Sequence, residues 1–267
     1  MSRSLAHYAV VSLAAAAASL FQATACAQSA EDDRLHISVG AAALSSPEYP
    51  GSGDQETRAV PMLRIDYGRF FLGNVPGLPE AAGIGARLYR NGGLTLGAAV
   101  TAELRDIRKE SDAARLAGLG DVEGTQRVAL YGVYTFDRYA LRAAVAQDIG
   151  DKDLGLVGAL EADVSFALTP SLSLTIGPTL TFGSSEYMQT VYGVTPLQSA
   201  RSGMPVHSAG SGLTSVRFSA TANYRFTPQW SAGLRLTAGR LQGDAKDSPI
   251  VEDETQNSVA AFVVYSF

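Results

Sequence analysis

Apolar and polar residues alternate along most of this chain with a period of two. In 213–226, Val216, Phe218, Ala220, Ala222, Tyr224 and Phe226 interleave with Arg217, Ser219, Thr221, Asn223 and Arg225. In 172–187, Leu172, Leu174, Ile176, Leu180 and Phe182 interleave with Ser173, Thr175, Thr179 and Thr181. Successive side chains of a strand point to opposite sides, so this pattern predicts strands with one apolar and one polar face. Twelve strands are predicted, over 35–45, 59–67, 69–74, 82–89, 93–106, 125–136, 139–149, 155–168, 172–187, 213–226, 230–242 and 258–267. Pro178 lacks a ladder donor and predicts a bulge in the ninth.

The connections alternate as strictly as the faces. Long polar or glycine-rich loops follow the odd-numbered strands, and short turns such as Arg90-Asn91-Gly92 and Asp137-Arg138 follow the even-numbered ones. Long external loops, short periplasmic turns and an even strand number belong to outer-membrane barrels. The fold class is therefore all-β: an antiparallel transmembrane β-barrel of twelve strands, in the outer membrane and surrounded by its lipid. Tyr67, Phe70, Phe71, Tyr89, Tyr134, Phe136, Tyr139, Phe166, Tyr224, Phe226, Trp230 and Tyr265 lie near strand ends, several beside short turns, where an aromatic girdle is expected.

The last predicted strand places Val259, Ala261, Val263, Tyr265 and Phe267 on one face. A bare apolar edge would invite pairing with other chains, so this strand is expected to pair with the first and remove both edges. Val263, Tyr265 and the terminal Phe267 also resemble the mark that barrel-insertion machinery reads on its clients, which makes that machinery an expected partner.

The N-terminus changes the domain picture. Arg3 precedes an apolar, alanine-rich stretch over 8–20, and Ala25-Cys26-Ala27 is a small-x-small cleavage pattern. Residues 1–27 read as a signal peptide, 28–34 as a periplasmic tail and 35–267 as the barrel. Cys26, the only cysteine, allows a lipoprotein alternative behind a poor lipobox; removal with the signal leaves no thiol chemistry. No later apolar stretch reaches the ~20 residues of a membrane helix. The formal net charge is −5, and nothing in it suggests nucleic-acid binding.

The polar faces raise the question of chemistry. Arg64, Asp66, Arg87, Glu103, Arg105, Arg142, Glu161, Asp163, Arg217, Arg225 and Arg235 are expected to face the lumen. They could select small anions or sugars in a pore, or form a salt-bridged interior that fills space; a twelve-stranded lumen is either narrow or plugged. Glu161 and Asp163 share a face, but a glycosidase would also need a sugar-sized cleft. After the signal only His36 and His207 remain as histidines, with no Gly-x-Ser-x-Gly elbow and no carboxylate spaced to orient either. Two histidines alone give thin support for a metal site. Gly118-Leu119-Gly120 is not a phosphate loop, because it lies between strands with no helix after it. The chain is read as a non-enzyme without a cofactor.

Several segments carry a resemblance. Ser46-Pro47-Glu48-Tyr49-Pro50-Gly51-Ser52 resembles the opening motif of the MipA/OmpV family of outer-membrane proteins. Pro61 with Tyr67-Gly68-Arg69-Phe70-Phe71 is similar to that family's second segment. Tyr187, Val191-Tyr192-Gly193-Val194, Gln198, Ala200, Ser202-Gly203 and Ala209-Gly210 are similar to a later one, and Tyr265-Ser266-Phe267 fits its close. Met204-Pro205-Val206-His207 departs from the pattern, where a more apolar or aromatic continuation is expected. The resemblance implies a scaffold that brings a murein transglycosylase and a murein synthase together at the outer membrane. The resemblance to OmpV-like members also implies adhesin-like behaviour, for which the loops 107–124 and 188–212 offer the candidate surface.

Overall fold

The structure is a computed structural model that describes residues 34–78, 81–103 and 105–267. The predicted signal peptide, its cleavage site and nearly all of the tail lie outside the described residues. Twelve antiparallel strands close into a barrel. They are β1 (Leu35–Pro47), β2 (Gln55–Tyr67), β3 (Phe70–Asn74), β4 (Ala82–Asn91), β5 (Leu94–Ala102) and β6 (Gln126–Phe136). The second half comprises β7 (Tyr139–Asp148), β8 (Leu156–Ala167), β9 (Leu172–Gly183), β10 (Gly212–Arg225), β11 (Trp230–Leu241) and β12 (Ser258–Ser266).

Each strand pairs with its sequence neighbours, and the first and last pair with each other, from Ser38 opposite Ser266 to Ser45 opposite Val259. Closure leaves no sheet edge unpaired. The outer wall carries the predicted apolar set, with Ile84, Val100, Leu130, Leu160, Phe218 and Leu236 all exposed. At the short-turn end the rings contact one another: Phe136 stacks on Tyr139 with centroids 5.2 Å apart, and Trp230 meets Tyr265 at 5.0 Å. Arg138 lies over Tyr139 and Phe166, its guanidinium carbon 5.5 and 5.7 Å from the ring centres. An apolar wall bounded by aromatics suits hydrocarbon bounded by headgroups, and the protein is an outer-membrane β-barrel. Phe71 is the exception among the expected girdle residues. Alternation with the outward Phe70 turns it inside, where its ring meets Tyr131 edge-on at 6.0 Å.

The six long connections gather at the opposite end. They are L1 (48–54), L2 (75–81), L3 (103–125), L4 (149–155), L5 (184–211) and L6 (242–257). Two expectations are corrected where the strands enter these loops, and a third within β9. The predicted ninth strand stops at Gly183, because Ser184 caps a helix, α1 (Ser185–Tyr192), by accepting from Tyr187 N at 3.4 Å. The run Ser184-Ser185-Glu186 breaks the alternation there and supplies the cap instead. A second helix, α2 (Pro196–Ser202), follows with a capping box between Thr195 and Gln198, and L6 opens with a short one, α3 (Gly243–Lys246). The predicted fifth strand ends at Ala102, so Glu103 and Arg105 sit at the base of L3 and not on a strand face. Pro178 makes no bulge: β9 keeps one register across it against both β8 and β10. The pairing with β8 lapses beside it, at Ala162 and Asp163, and the exposed pyrrolidine faces outward.

Candidate functional site

The interior is the place where this barrel differs from a plain tube. Along β1, β2 and β12 the inward residues Ala42, Val60, Met62, Ala260, Phe262 and Val264 form one buried apolar cluster. Val60 is only 2% exposed and Phe262 7%, values of a filled core and not of a water-lined wall. A second cluster fills the lumen beside β5 to β8. L2 folds inward there, and Val75 and Leu78 bury against Ala99, Ala129, Ala144, Ala146 and Ala159. Alanine at five inward positions leaves the volume that the loop occupies. The turn of L2 is held by Val75 N to Ala81 O and Leu78 N to Val75 O, each 3.1 Å.

The inward charges form two ion clusters. On β2 and β4, Asp66 accepts from Arg64 Nε at 2.6 Å and also pairs with Arg87, which stacks over Phe71 at 5.2 Å. On β7 and β8, Arg142 faces Glu161 at 3.1 Å and pairs with Asp163. The registers explain this meeting: Arg142 lies directly opposite Glu161, and Asp163 is one inward position along. Arg217 donates to Thr181 Oγ1 at 3.4 Å, Arg235 to Ser219 Oγ at 3.3 Å and Arg225 to the Pro170 carbonyl at 3.0 Å. At the base of the loops, Glu103 pairs with Arg127 at 3.1 Å and Arg105 with Glu56 at 2.6 Å.

Arg127 was not among the expected lumen charges, although alternation with Val128 and Leu130 places it inward. It is 3% exposed and binds the carbonyls of Leu154 and Gly155 at 3.0 and 3.3 Å, so it ties β6 to L4. Asp148 works from the next strand. Its carboxylate accepts from Thr125 Oγ1 and from the amides of Gly150, Lys152 and Leu154.

Above these charges the loops build a cap with its own core. One cluster joins Val122 of L3, Leu154 of L4, Met188, Val191, Tyr192 and Ala209 of L5, and Ala245 of L6. Another joins Tyr49 of L1, Leu116 and Leu119 of L3, Val194 of L5 and Ile250 of L6. The motif residues are the fasteners. Tyr49 donates to Glu252 Oε1 at 2.6 Å, and burial, with the nearby Glu252 carboxylate, pushes its hydroxyl well above the usual tyrosine range. The Gly51 amide donates to Gln256 Oε1 at 2.9 Å, and its carbonyl accepts from Glu252 N at 2.7 Å. Pro47 closes β1 just before them. The Tyr192 carbonyl accepts from Ser248 Oγ at 2.6 Å, and the Val194 amide donates to the His207 carbonyl at 2.9 Å. Gly193 leaves no room for a Cβ, which would meet the Gln189 side chain at 2.0 Å. Arg108 crosses the cap interior and donates to the Val191 carbonyl at 2.9 Å. Burial lowers its pKa, offset in part by Tyr49, Asp112 and Asp121.

The histidines stand apart. His207 Nε2 contacts the Asp244 carbonyl at 3.0 Å in the cap, whereas His36 lies opposite Asp66 in register on the lumen side of β1. No cluster of three or more metal-ligating side chains occurs among the described residues.

A family model described as MltA-interacting protein MipA matches residues 39–267. The chain belongs to that family. Among curated MipA relatives, "MltA-interacting protein" of Escherichia coli (strain K12) is 26% identical over 160 residues, 60% of this chain and 63% of the relative. The protein of the same name from Shigella flexneri matches to the same extent. Each match thus spans less than two thirds of the relative's length. Solved structures with a similar fold include the COG4313 outer membrane channel from Pseudomonas putida F1, 17% identical with a TM-score of 0.47 over 89% of this chain and 97% of that one. The channel DcaP of Acinetobacter baumannii is 9% identical with a TM-score of 0.42, over 88% and 96%. At these scores the likeness carries nothing about transport. Tyr49, Gly51, Tyr192, Gly193 and Val194, the positions that carried the resemblance in the sequence, all lie in the cap, and none lies in the ion clusters of the lumen.

Proposed function

We propose that this barrel is a closed, non-enzymatic anchor in the outer membrane, on whose periplasmic side a murein transglycosylase and a murein synthase are brought together. The observation that carries the reading is the filled interior. L2 occupies the alanine socket, Met62 and Phe262 fill the opposite wall, and the cap covers the loop end. A conduit needs a continuous wet path, and two buried apolar clusters within the lumen oppose one. The partner class comes from the name borne by the curated relatives, MltA-interacting protein.

The test is a crosslinking pull-down of the tagged chain from detergent-solubilised envelopes, kept gentle enough to preserve such complexes. Recovery of a murein transglycosylase is expected, and recovery of no murein enzyme overturns the scaffold. A second reading, a small-anion channel, is favoured by the inward arginines. Planar-bilayer recording separates the two: an anchor gives a silent membrane, and a channel gives discrete conductance steps. Adhesion through the loops 107–124 and 188–212 would be lost on their deletion while envelope complexes persisted.

A further inference from the structure

The inward side chains divide along the barrel axis. At mid-height they are mostly apolar, as the two buried clusters record, and at the base of the long loops Glu103 pairs with Arg127 and Arg105 with Glu56. Towards the short turns they are charged, and there the balance is basic. Six arginines, Arg64, Arg87, Arg90, Arg142, Arg225 and Arg235, face inward against three carboxylates, Asp66, Glu161 and Asp163. Arg90 belongs to this set by register: it lies opposite Thr95, which lies opposite Val133, which lies opposite the inward Arg142. Arg225 alternates with the outward Tyr224 and Phe226 at the last position of β10. Both Arg90 and Arg225 are exposed at the mouth. This basic end runs against the composition, since the chain as a whole carries −5.

The basic end is also blind. An anion entering from the short-turn side passes Arg90 and Arg225, reaches Arg64, Arg87, Arg142 and Arg235, and then meets L2 and the apolar layer. Such a site retains an anion and does not pass it on. The six guanidinium groups come from β2, β4, β7, β10 and β11, around much of the circumference. A small isolated anion reaches one or two of them. A chain bearing a carboxylate at successive residues reaches several, and the planar guanidinium fork matches each carboxylate.

We propose that the periplasmic mouth of this barrel is a receptor for an acidic polypeptide segment. The proposal goes beyond the scaffold reading and stands without it, because its test needs no murein enzyme. The probe is fluorescent hexaglutamate, titrated onto the purified full chain in detergent and in nanodiscs. The background carries Glu31→Gln, Asp32→Asn and Asp33→Asn, so that no tethered acid competes. Saturable binding is expected, weakening with salt, with no binding of hexaglutamine. The pair Arg90→Gln and Arg225→Gln should weaken binding at least tenfold. Arg240→Gln, an exposed change at the loop end of β11, should leave it unaltered. Heat-modifiable migration confirms that each variant has folded.

Three results overturn the proposal. The first is absent or non-saturable hexaglutamate binding, or equal binding by the Arg90/Arg225 variant. The second is displacement of the probe by inorganic phosphate at the same concentration as by unlabelled hexaglutamate, which makes the mouth a small-anion site. The third is loss of binding when the nanodiscs contain phosphatidylglycerol, which makes a lipid phosphate the occupant.

Discussion

Tyr49 and Glu252 lie 203 residues apart and share a 2.6 Å hydrogen bond that fastens the first external loop to the last. The tyrosine ring is 2% exposed, so the hydroxyl has little water to fall back on. A hydrogen bond to a charged group contributes roughly 1.5–3 kcal/mol, and the low end applies here because Glu252 is partly solvated. Tyr49→Phe should therefore loosen the cap by about 1–2 kcal/mol without opening the barrel. Hydrogen exchange at Glu252 N, which donates to Gly51 O, should quicken about tenfold, and protease should cut L1 and L6 sooner. The same bond sets a pH dependence. With the cap closed, burial and Glu252 hold the proton on Tyr49 well above its ordinary pKa of 10.0. With the cap open the tyrosine titrates normally, so the open state loses its proton first as pH rises. Cap stability is complete below pH ~10 and falls above it, and Tyr49→Phe should remove that fall.

Arg142 holds two carboxylates at once, and Glu161 is the more deeply buried, its side chain 3% exposed. Removing the cation leaves charge inside the wall with nothing opposite it. Arg142→Met should destabilise the barrel by about 3–5 kcal/mol, as expected when a buried pair loses one partner. Adding Glu161→Gln should recover part of that loss, because one of the stranded charges is then gone. Urea unfolding of the single and double variants in lipid discs reads the difference. Equal midpoints for wild type and Arg142→Met would show that water already solvates this cluster.

The wall was legible in the sequence because its rule is local. A period of two and an alternation of long and short connections fix which residues of β10 face lipid and which connections face outward. Arg142, Glu161 and Asp163 could be assigned one face each, but their meeting depends on the β7–β8 register, which no single strand encodes. The cap was hidden for a stronger reason. The Tyr192 carbonyl meets Ser248 and Gly51 meets Gln256 through contacts between loops far apart in sequence, and loop polarity carries no period to read. The one local signal available was helical: Ser184 before Glu186-Tyr187, and Thr195-Pro196 with Gln198 three residues after the threonine. Phe71 was misplaced because β-propensity puts aromatics on either face, and only its neighbour Phe70 decides between them.

The alanine socket holds L2 inside the lumen by contacts that one larger side chain would disturb. Gly77 has φ +80°, and a Cβ there would lie 3.1 Å from the Ala144 side chain, so loop and wall are already in contact. Ala144→Leu puts three more carbons into that contact. The wall strand is fixed by ladders on both sides, whereas L2 is held by a few turn bonds, so the loop yields. Overpacking should cost about 1–3 kcal/mol and expel Val75 and Leu78 from the lumen. Discrete conductance steps should then appear in planar bilayers where the wild type is expected to be silent. If Ala144→Leu is folded and also silent, the cap and the cluster around Phe262 suffice to close the barrel without L2.

Barrel closure depends on a close approach at the seam. Gly40 of β1 lies opposite Val264 of β12, and a Cβ at this position would come within 2.3 Å of the Val263 carbonyl. That oxygen is backbone inside a ladder and cannot swing aside as a side chain could. Gly40→Val thus sets a branched side chain against the one strand pair that joins the two ends of the sheet. Every other ladder forms between strands close in sequence; only this one waits for the whole sheet to curl. The variant should accumulate as an open sheet: it should lose heat-modifiable migration and become sensitive to protease throughout. Ala41→Val, one residue on, points into lipid and should assemble at wild-type levels. Equal assembly of both variants would mean that β1 can shift away from β12 and that the seam is not the limiting step.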